Sequence, residues 1–254
     1  MLFNKRGAVI VGREGISTMF MVGVAHLPDP VMARERLGAL RAQLLADPYF
    51  RAVPSMHLRA GKTALCFHAT DDLPEVRREV FRLLPQLGAE VQVAIRRKHE
   101  MVGAARMAHR RGGRLTANDI YDDLVKRLFK NLLHQGEVNE ICFARRGKAD
   151  RQAALEAAIA RAKHNFSRKW NTPVDRPTRI RPSVPSQDAG LQVIDYYLWA
   201  LQRFFERRED RYFASVSNAY RLIMDIDDTR SAPYGAYYSA KNPLTMEKVT
   251  PPTG

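Results

Sequence analysis

Asp195 stands on a helix that has almost no place for a charge. Leu191, Ile194, Leu198, Leu201 and Phe205 recur at helical spacing, and Val193, Tyr197, Ala200 and Phe204 fill a second stripe, so this helix is expected to be covered on most sides. A carboxylate there is costly unless hydrogen bonds, a cation or a metal ion compensate it. The ordinary compensation is structural, a backbone amide or a neighbouring arginine. A chemical role needs partners, and the nearest in type are His68, Asp71 and Asp72. His68 ends a predicted short strand over residues 63–68, where an imidazole can orient a water or hold a phosphate, although a lone His is more often a hydrogen-bonded structural group. Asp71 and Asp72 precede Leu73-Pro74, so each is expected first as a helix N-cap and only second as a catalytic acid.

The elements that must position these groups alternate along the chain. Ala8-Val9-Ile10-Val11 and residues 17–25 read as a hairpin with Gly15 at its turn, its second strand apolar on both alternations. Asp29-Pro30 opens a helix that Asp47-Pro48 stops. Residues 73–87 follow as a helix and 90–98 as a strand with Val91, Val93 and Ile95 inward. Helices over 116–134 and 148–170 bracket a strand over 138–144, and 178–184 reads as an edge strand. After the Asp195 helix, 212–224 is expected as a last helix. This order predicts an α/β mixed sheet with helices on both faces.

With 254 residues, 45% of them hydrophobic, the chain is long enough for a sizeable core. Forty-one basic against 27 acidic residues give a net charge of +14, which points to nucleic acid or another anionic partner. Cys66 and Cys142 fall in predicted strands without metal-ligand spacing and read as reduced core thiols, and no apolar run has the length of a membrane span, so a soluble cytoplasmic protein is expected. Glycine-rich phosphate loops, a nucleophile elbow and zinc-ligand patterns are missing, which argues against P-loop and dinucleotide-binding enzymes, serine hydrolases and zinc proteins.

Two basic zones stand out. Residues 96–114 carry Arg96, Arg97, Lys98, Arg106, Arg110, Arg111 and Arg114 against the single acid Glu100, with Gly112-Gly113 as a joint, and are expected as a basic loop spanning 96–116 that tracks a phosphate backbone or, equally, as a solvated loop. Arg145 and Arg146 open the second zone, which runs to Arg181. Phe166 and Trp170 lie within it at helical spacing and are expected in the core rather than under bases.

Residues 19–24, Cys66-Phe67-His68-Ala69-Thr70-Asp71 and above all Ser183 followed by Gly190-Leu191-Gln192-Val193-Ile194-Asp195 resemble an uncharacterised bacterial family with an RNase H-like fold, one that usually opens on a strand ending Asp-Glu-Ser-Gly. The resemblance implies a single domain over residues 1–228; the stretch 229–254, with Pro233, Pro243, Pro251 and Pro252 beside Tyr234, Tyr237 and Tyr238, reads by its composition as an extended, partly disordered tail. It also implies descent from nucleases in which converging carboxylates hold two Mg²⁺ ions at the sheet centre. The opening motif would fall on Arg13-Glu14-Gly15, leaving Glu14 but replacing the Asp with a guanidinium that repels a cation. Ala144-Arg145-Arg146 likewise stands where related folds often carry an acid. The implied set is therefore Asp195 and Glu14 as ligands of Mg²⁺ or Mn²⁺, with His68 or Asp71 completing a reduced site. The alternative is an inactive binding or assembly module, contacting nucleic acid or, through its aromatic tail, a protein.

Overall fold

The computed structural model describes residues 9–10, 16–60, 62–130, 132–133, 137–145, 152–173 and 176–249. Its strands are β1 (Met19–His26), β2 (Glu90–Arg97), β3 (Asn139–Ala144), β4 (Thr178–Ser183), β5 (Tyr220–Asp225) and β6 (Ala236–Tyr238). Its helices are α1 (Pro30–Ala46), α2 (Pro74–Leu83), α3 (Lys98–Arg110), α4 (Ala117–Phe129), α5 (Gln152–Trp170), α6 (Ala189–Arg207), α7 (Asp210–Val216) and α8 (Met246–Val249). β1 pairs antiparallel with β2, β2 parallel with β5, and β5 antiparallel with β6, while β3 and β4 form a separate parallel pair. Of the expected first strand only Val9 and Ile10 are described, and Val9 packs against a core shared by both sheets.

The two faces of the four-stranded sheet bury different cores. Val91, Val93, Ile95 and Ile223 pack under α1, α2, α6 and α7, and Val22, Ala94 and Met224 pack under α4 and α5 together with Ile141 and Phe143 of β3. The chain is thus a mixed α/β fold with helices on both faces. β1 explains why its sequence is apolar on both alternations: Met19, Met21 and Ala25 meet the α6 side, Phe20, Val22 and Val24 the other. Local signals start the helices. Asp29 accepts from the Met32 amide at 2.9 Å, Thr116 and Asp119 cap α4 reciprocally, and Asp188 accepts from the Leu191 amide at 3.3 Å.

Gly23 sets how closely α6 lies on the sheet. A β-carbon there would come within 2.9 Å of both Ile194 Cδ1 and Leu198 Cδ2. Because those atoms are the ends of flexible side chains, Gly23→Ala is expected to cost about 1–3 kcal/mol rather than prevent folding. Urea unfolding of the single variant and of Gly23→Ala/Leu198→Ala checks this, since the second change should restore part of the loss.

Five expectations are corrected. Residues 63–65 form a turn and 66–68 a bend and irregular backbone instead of a strand, so Cys66 lies at a bend. The helix expected over 212–224 stops at Val216, where Ser217-Asn218 offer the backbone competing turn geometry, and Tyr220–Asp225 enters the sheet beside β2. Residues 96–116 are no loop: 96–97 end β2 and 98–110 form α3. The supposed tail is folded as far as residue 249, because Tyr238 and Leu244 are buried and Gly235, at φ 104° and with Asp225 O only 2.5 Å from where a β-carbon would stand, turns the chain back onto β5. Trp170, expected in the core, is 56% exposed. Among the described residues no helix is long and apolar enough to cross a membrane.

Candidate functional site

Five residues of α6 share one stripe. Gln192, Asp195, Trp199, Gln202 and Glu206 follow one another at alternating steps of three and four, the spacing of a single helical face. Three of them, Gln192, Asp195 and Glu206, reach segments with no regular ladder of their own. Gln192 Oε1 accepts from the Phe67 amide at 3.0 Å, and Asp195 Oδ2 from the Ala69 amide at 2.9 Å. Glu206 Oε1 gathers the approach to β1, accepting from Ser17 Oγ at 2.7 Å, the Thr18 amide at 2.6 Å and the Met19 amide at 2.9 Å, while Gln202 donates to its other oxygen at 2.8 Å. The amide of His68, between the two loop contacts, goes to Asp72 Oδ2 at 2.9 Å. Three consecutive amides are therefore held by side chains, which is why residues 63–68 do not extend into a strand.

Asp72 is the centre of this arrangement. It is 2% exposed and also accepts from Thr63 Oγ1 at 2.7 Å and from the Tyr196 hydroxyl. Neither it nor Asp71 caps α2, whose N-cap position is Leu73 with no side-chain hydrogen bond; Asp71 instead faces Lys62 at 3.8 Å, both side chains about half exposed. Burial pushes the Asp72 carboxyl above the usual carboxylate range despite the hydrogen bonds from Tyr196, Thr63 and the His68 amide, and burial drives the Tyr196 phenol well up as well. Arg77 closes the loop from outside, donating to the carbonyls of Ala69 and Asp72 while its guanidinium lies 5.0 Å from the Trp199 ring.

Between α6, β1 and this loop lies a cleft of about 170 Å³, lined by Ser17, Met19, Met21, Thr70, Asp195, Leu198, Trp199 and Gln202. Asp195 faces it with about a third of its side chain exposed. Burial raises its pKa, opposed by His68 and the Ala69 amide and reinforced by Asp71. His68 Nδ1 stands 3.8 Å from Asp195 Oδ2 and, although enclosed, has no hydrogen-bond partner.

The structure thus brings together Asp195 and His68 and leaves Asp71 apart, at the surface with Lys62. Glu14 and Arg146 lie outside the described residues; Ser17, three positions after Glu14, lines the cleft. Among the described residues no group of three or more His, Cys, Asp or Glu is arranged to hold a metal ion. Asp195 with His68 is one hard-oxygen donor beside one imidazole, and that carboxylate already holds an amide, so without a second acid the pair does not fit Mg²⁺.

A second set of acids, missed in the sequence, sits at the same end of the sheet, since Met19 opposes Arg97. Asp225 ends β5, Asp227 and Asp228 follow it, and all three meet arginines: Arg97 Nη2 lies 2.6 Å from Asp225, Arg96 Nε 2.9 Å from Asp227 and Arg230 Nη2 2.6 Å from Asp228. Asp225 is fully buried, and burial raises its pKa against the hydrogen bond from Arg97. Arg97 is therefore engaged inward and withdrawn from the expected phosphate-binding set. Lys98 is withdrawn too: it is 3% exposed, and burial lowers its pKa against the pull of Glu206. Arg106, Arg110, Arg111, Arg114 and Arg145 are exposed and make no ion pair among the described residues. Comparison of the chain with family models, with curated proteins and with solved structures returns no match.

Proposed function

We propose that this is an RNase H-like protein that associates with nucleic acid, and that it does so as a binding or assembly module whose former cleft now holds its own backbone. The carrying observation is the contrast between its acids and its bases. Asp72, Asp195, Asp225, Asp227 and Asp228 each have an internal donor, whereas Arg106, Arg110, Arg111 and Arg114 have no carboxylate partner among the described residues and are exposed on and just after α3. Unpaired guanidinium groups match a phosphate backbone, and their affinity falls steeply with salt. Support for the fold comes from the antiparallel β1–β2 pair and the parallel β3–β4 pair, both lying against the helix that carries Asp195.

The second reading, a reduced divalent-metal nuclease, is favoured by one observation: Ser17, three positions after Glu14, lines the cleft that Asp195 and Thr70 share, beside an unpartnered His68 Nδ1. In that reading Asp195 and Glu14 would hold Mg²⁺ or Mn²⁺, which supplies an activated water when bound. Titration calorimetry with Mn²⁺, run beside cleavage assays on single-stranded, double-stranded and hybrid substrates, separates the two. The binding module predicts salt-sensitive affinity with no heat at millimolar Mn²⁺. Heat and cleavage that both disappear in Asp195→Ala would instead establish the nuclease.

A further inference from the structure

The cleft between α6, β1 and the Asp72 loop meets its occupant with acceptors. Asp195 spends Oδ2 on the Ala69 amide, and its Oδ1 takes no hydrogen bond among the described residues. Gln202 Nε2 donates to Glu206 Oε2 at 2.8 Å, so its carbonyl oxygen is turned from that carboxylate and has no donor among the described residues. The Ser17 hydroxyl hydrogen is already committed to Glu206 Oε1 or the Met19 carbonyl, each at 2.7 Å. Met19, Met21, Leu198 and Trp199 make the apolar walls, and Thr70 brings a hydroxyl with no partner among the described residues. Arg77 and Arg203 lie 5.0 and 5.4 Å from the Trp199 ring, so a cationic occupant would meet two guanidinium groups. Thioethers and an indole favour an aromatic ring over an alkyl chain. At about 170 Å³ the cleft has room for one small ring, since a cavity of about 150 Å³ holds benzene.

We propose that this cleft takes one unpaired cytosine, its ring against Met19, Met21 and Trp199 and its exocyclic amine donating to Asp195 Oδ1 or Gln202 Oε1. The inference rests on the nucleic-acid reading and names the base that the cleft selects. A carboxylate accepts from the cytosine N4 amine. Thymine and uracil carry a carbonyl oxygen at that position, which a carboxylate repels, and a purine adds a second ring. The Thr70 hydroxyl is available as a donor to cytosine N3 or O2. Inside a duplex the amine and the ring faces are already engaged, so the base must come from a single strand. The first residue of α3 lies at the rim of the cleft: the Lys98 amide donates at 2.9 Å to the carbonyl of Thr18, which stands between the lining residues Ser17 and Met19. Arg106 and Arg110 stand about 12 and 18 Å along α3 from that point, a span that a short strand covers.

The chain contains two tryptophans, so Trp170→Phe, at an exposed position, leaves Trp199 as the only indole. In that background, with EDTA present and at mildly alkaline pH, oligodeoxycytidylate is expected to quench the Trp199 fluorescence saturably. It should bind about tenfold more tightly than oligothymidylate of the same length. Cytidine should quench at higher concentration and uridine should not, a comparison that needs no change in the cleft. Asp195→Asn keeps a carbonyl for the Ala69 amide but turns a donor toward the cleft, so it should erase the preference for cytosine, with a urea midpoint showing that it is folded. Equal quenching by the two oligonucleotides or the two nucleosides, or a preference kept in folded Asp195→Asn, overturns the pocket. Oligonucleotide binding, followed by anisotropy, that leaves Trp199 silent removes this inference alone. Selection of cytidine over uridine without any oligonucleotide binding sustains the pocket and removes the nucleic-acid reading, and the loss of both removes both.

Discussion

Alanine in place of Asp72 is expected to lower the unfolding free energy by about 3–5 kcal/mol, the largest loss at any single polar position in this protein. Three buried donors, Thr63 Oγ1, the His68 amide and the Tyr196 hydroxyl, lose their acceptor together. Water cannot readily replace it where the residue is 2% exposed. The loss exceeds the relief of no longer burying a charge, because the donors stay buried. Asp72→Asn keeps one carbonyl acceptor and should lose roughly half as much. Urea midpoints measure both, and an alanine variant within 1 kcal/mol of the parent, on the ~1 kcal/mol scale of a single hydrogen bond, would show that the loop holds itself.

The same residue predicts a pH dependence of unusual sign. Burial raises the Asp72 pKa in the folded chain, so between the ordinary Asp value of about 3.9 and that higher value the native state binds more protons than the unfolded one. Its contribution to stability is therefore full below the ordinary value and declines as the pH rises through the folded one. Asp195 acts in the same direction. Glu206, held low by Ser17, Gln202 and the Met19 and Thr18 donors despite burial, acts in the opposite one and loses its contribution as the pH falls. Asp72→Asn should flatten the first trend and leave the second.

Replacing Arg106, Arg110, Arg111 and Arg114 together with glutamine is expected to abolish most nucleic-acid affinity at physiological salt. Each phosphate contact contributes roughly 0.9 to the slope of log affinity against log salt on duplex, so losing four should reduce the slope by about 3 to 4. Their exposure and the lack of ion pairs to them among the described residues mean that the variant should fold as the parent does, with an unfolding midpoint unchanged. Anisotropy titrations at several salt concentrations provide the slope. A slope that does not change, with affinity retained, places the phosphate contacts elsewhere on the surface.

Much of the framework was legible in the chain. The Asp29-Pro30 start, the Thr116 and Asp119 pair and the inward Val91, Val93 and Ile95 each depend on neighbours a few residues away, so spacing alone reveals them. The apolar stripes of α6 were readable for the same reason, and its polar stripe was equally periodic: Gln192, Trp199, Gln202 and Glu206 lay in view beside Asp195. What that stripe meets was not readable. Phe67 and Gln192 are 125 positions apart, and Met19 and Glu206 187.

Chain-local chemistry by itself determined where most helices begin, which strands face a core, and that Asp195 needed a compensating partner. Only the tertiary structure decided that the partner is the Ala69 amide, that Asp72 is a buried acceptor rather than a cap, that Tyr220–Asp225 is a strand in the sheet, and that Arg97 faces Asp225 instead of solvent. The physical reason is that a buried polar group is satisfied by whatever donor the fold brings within about 3 Å. That distance is set by packing between segments far apart in sequence, and no periodicity within either segment records it.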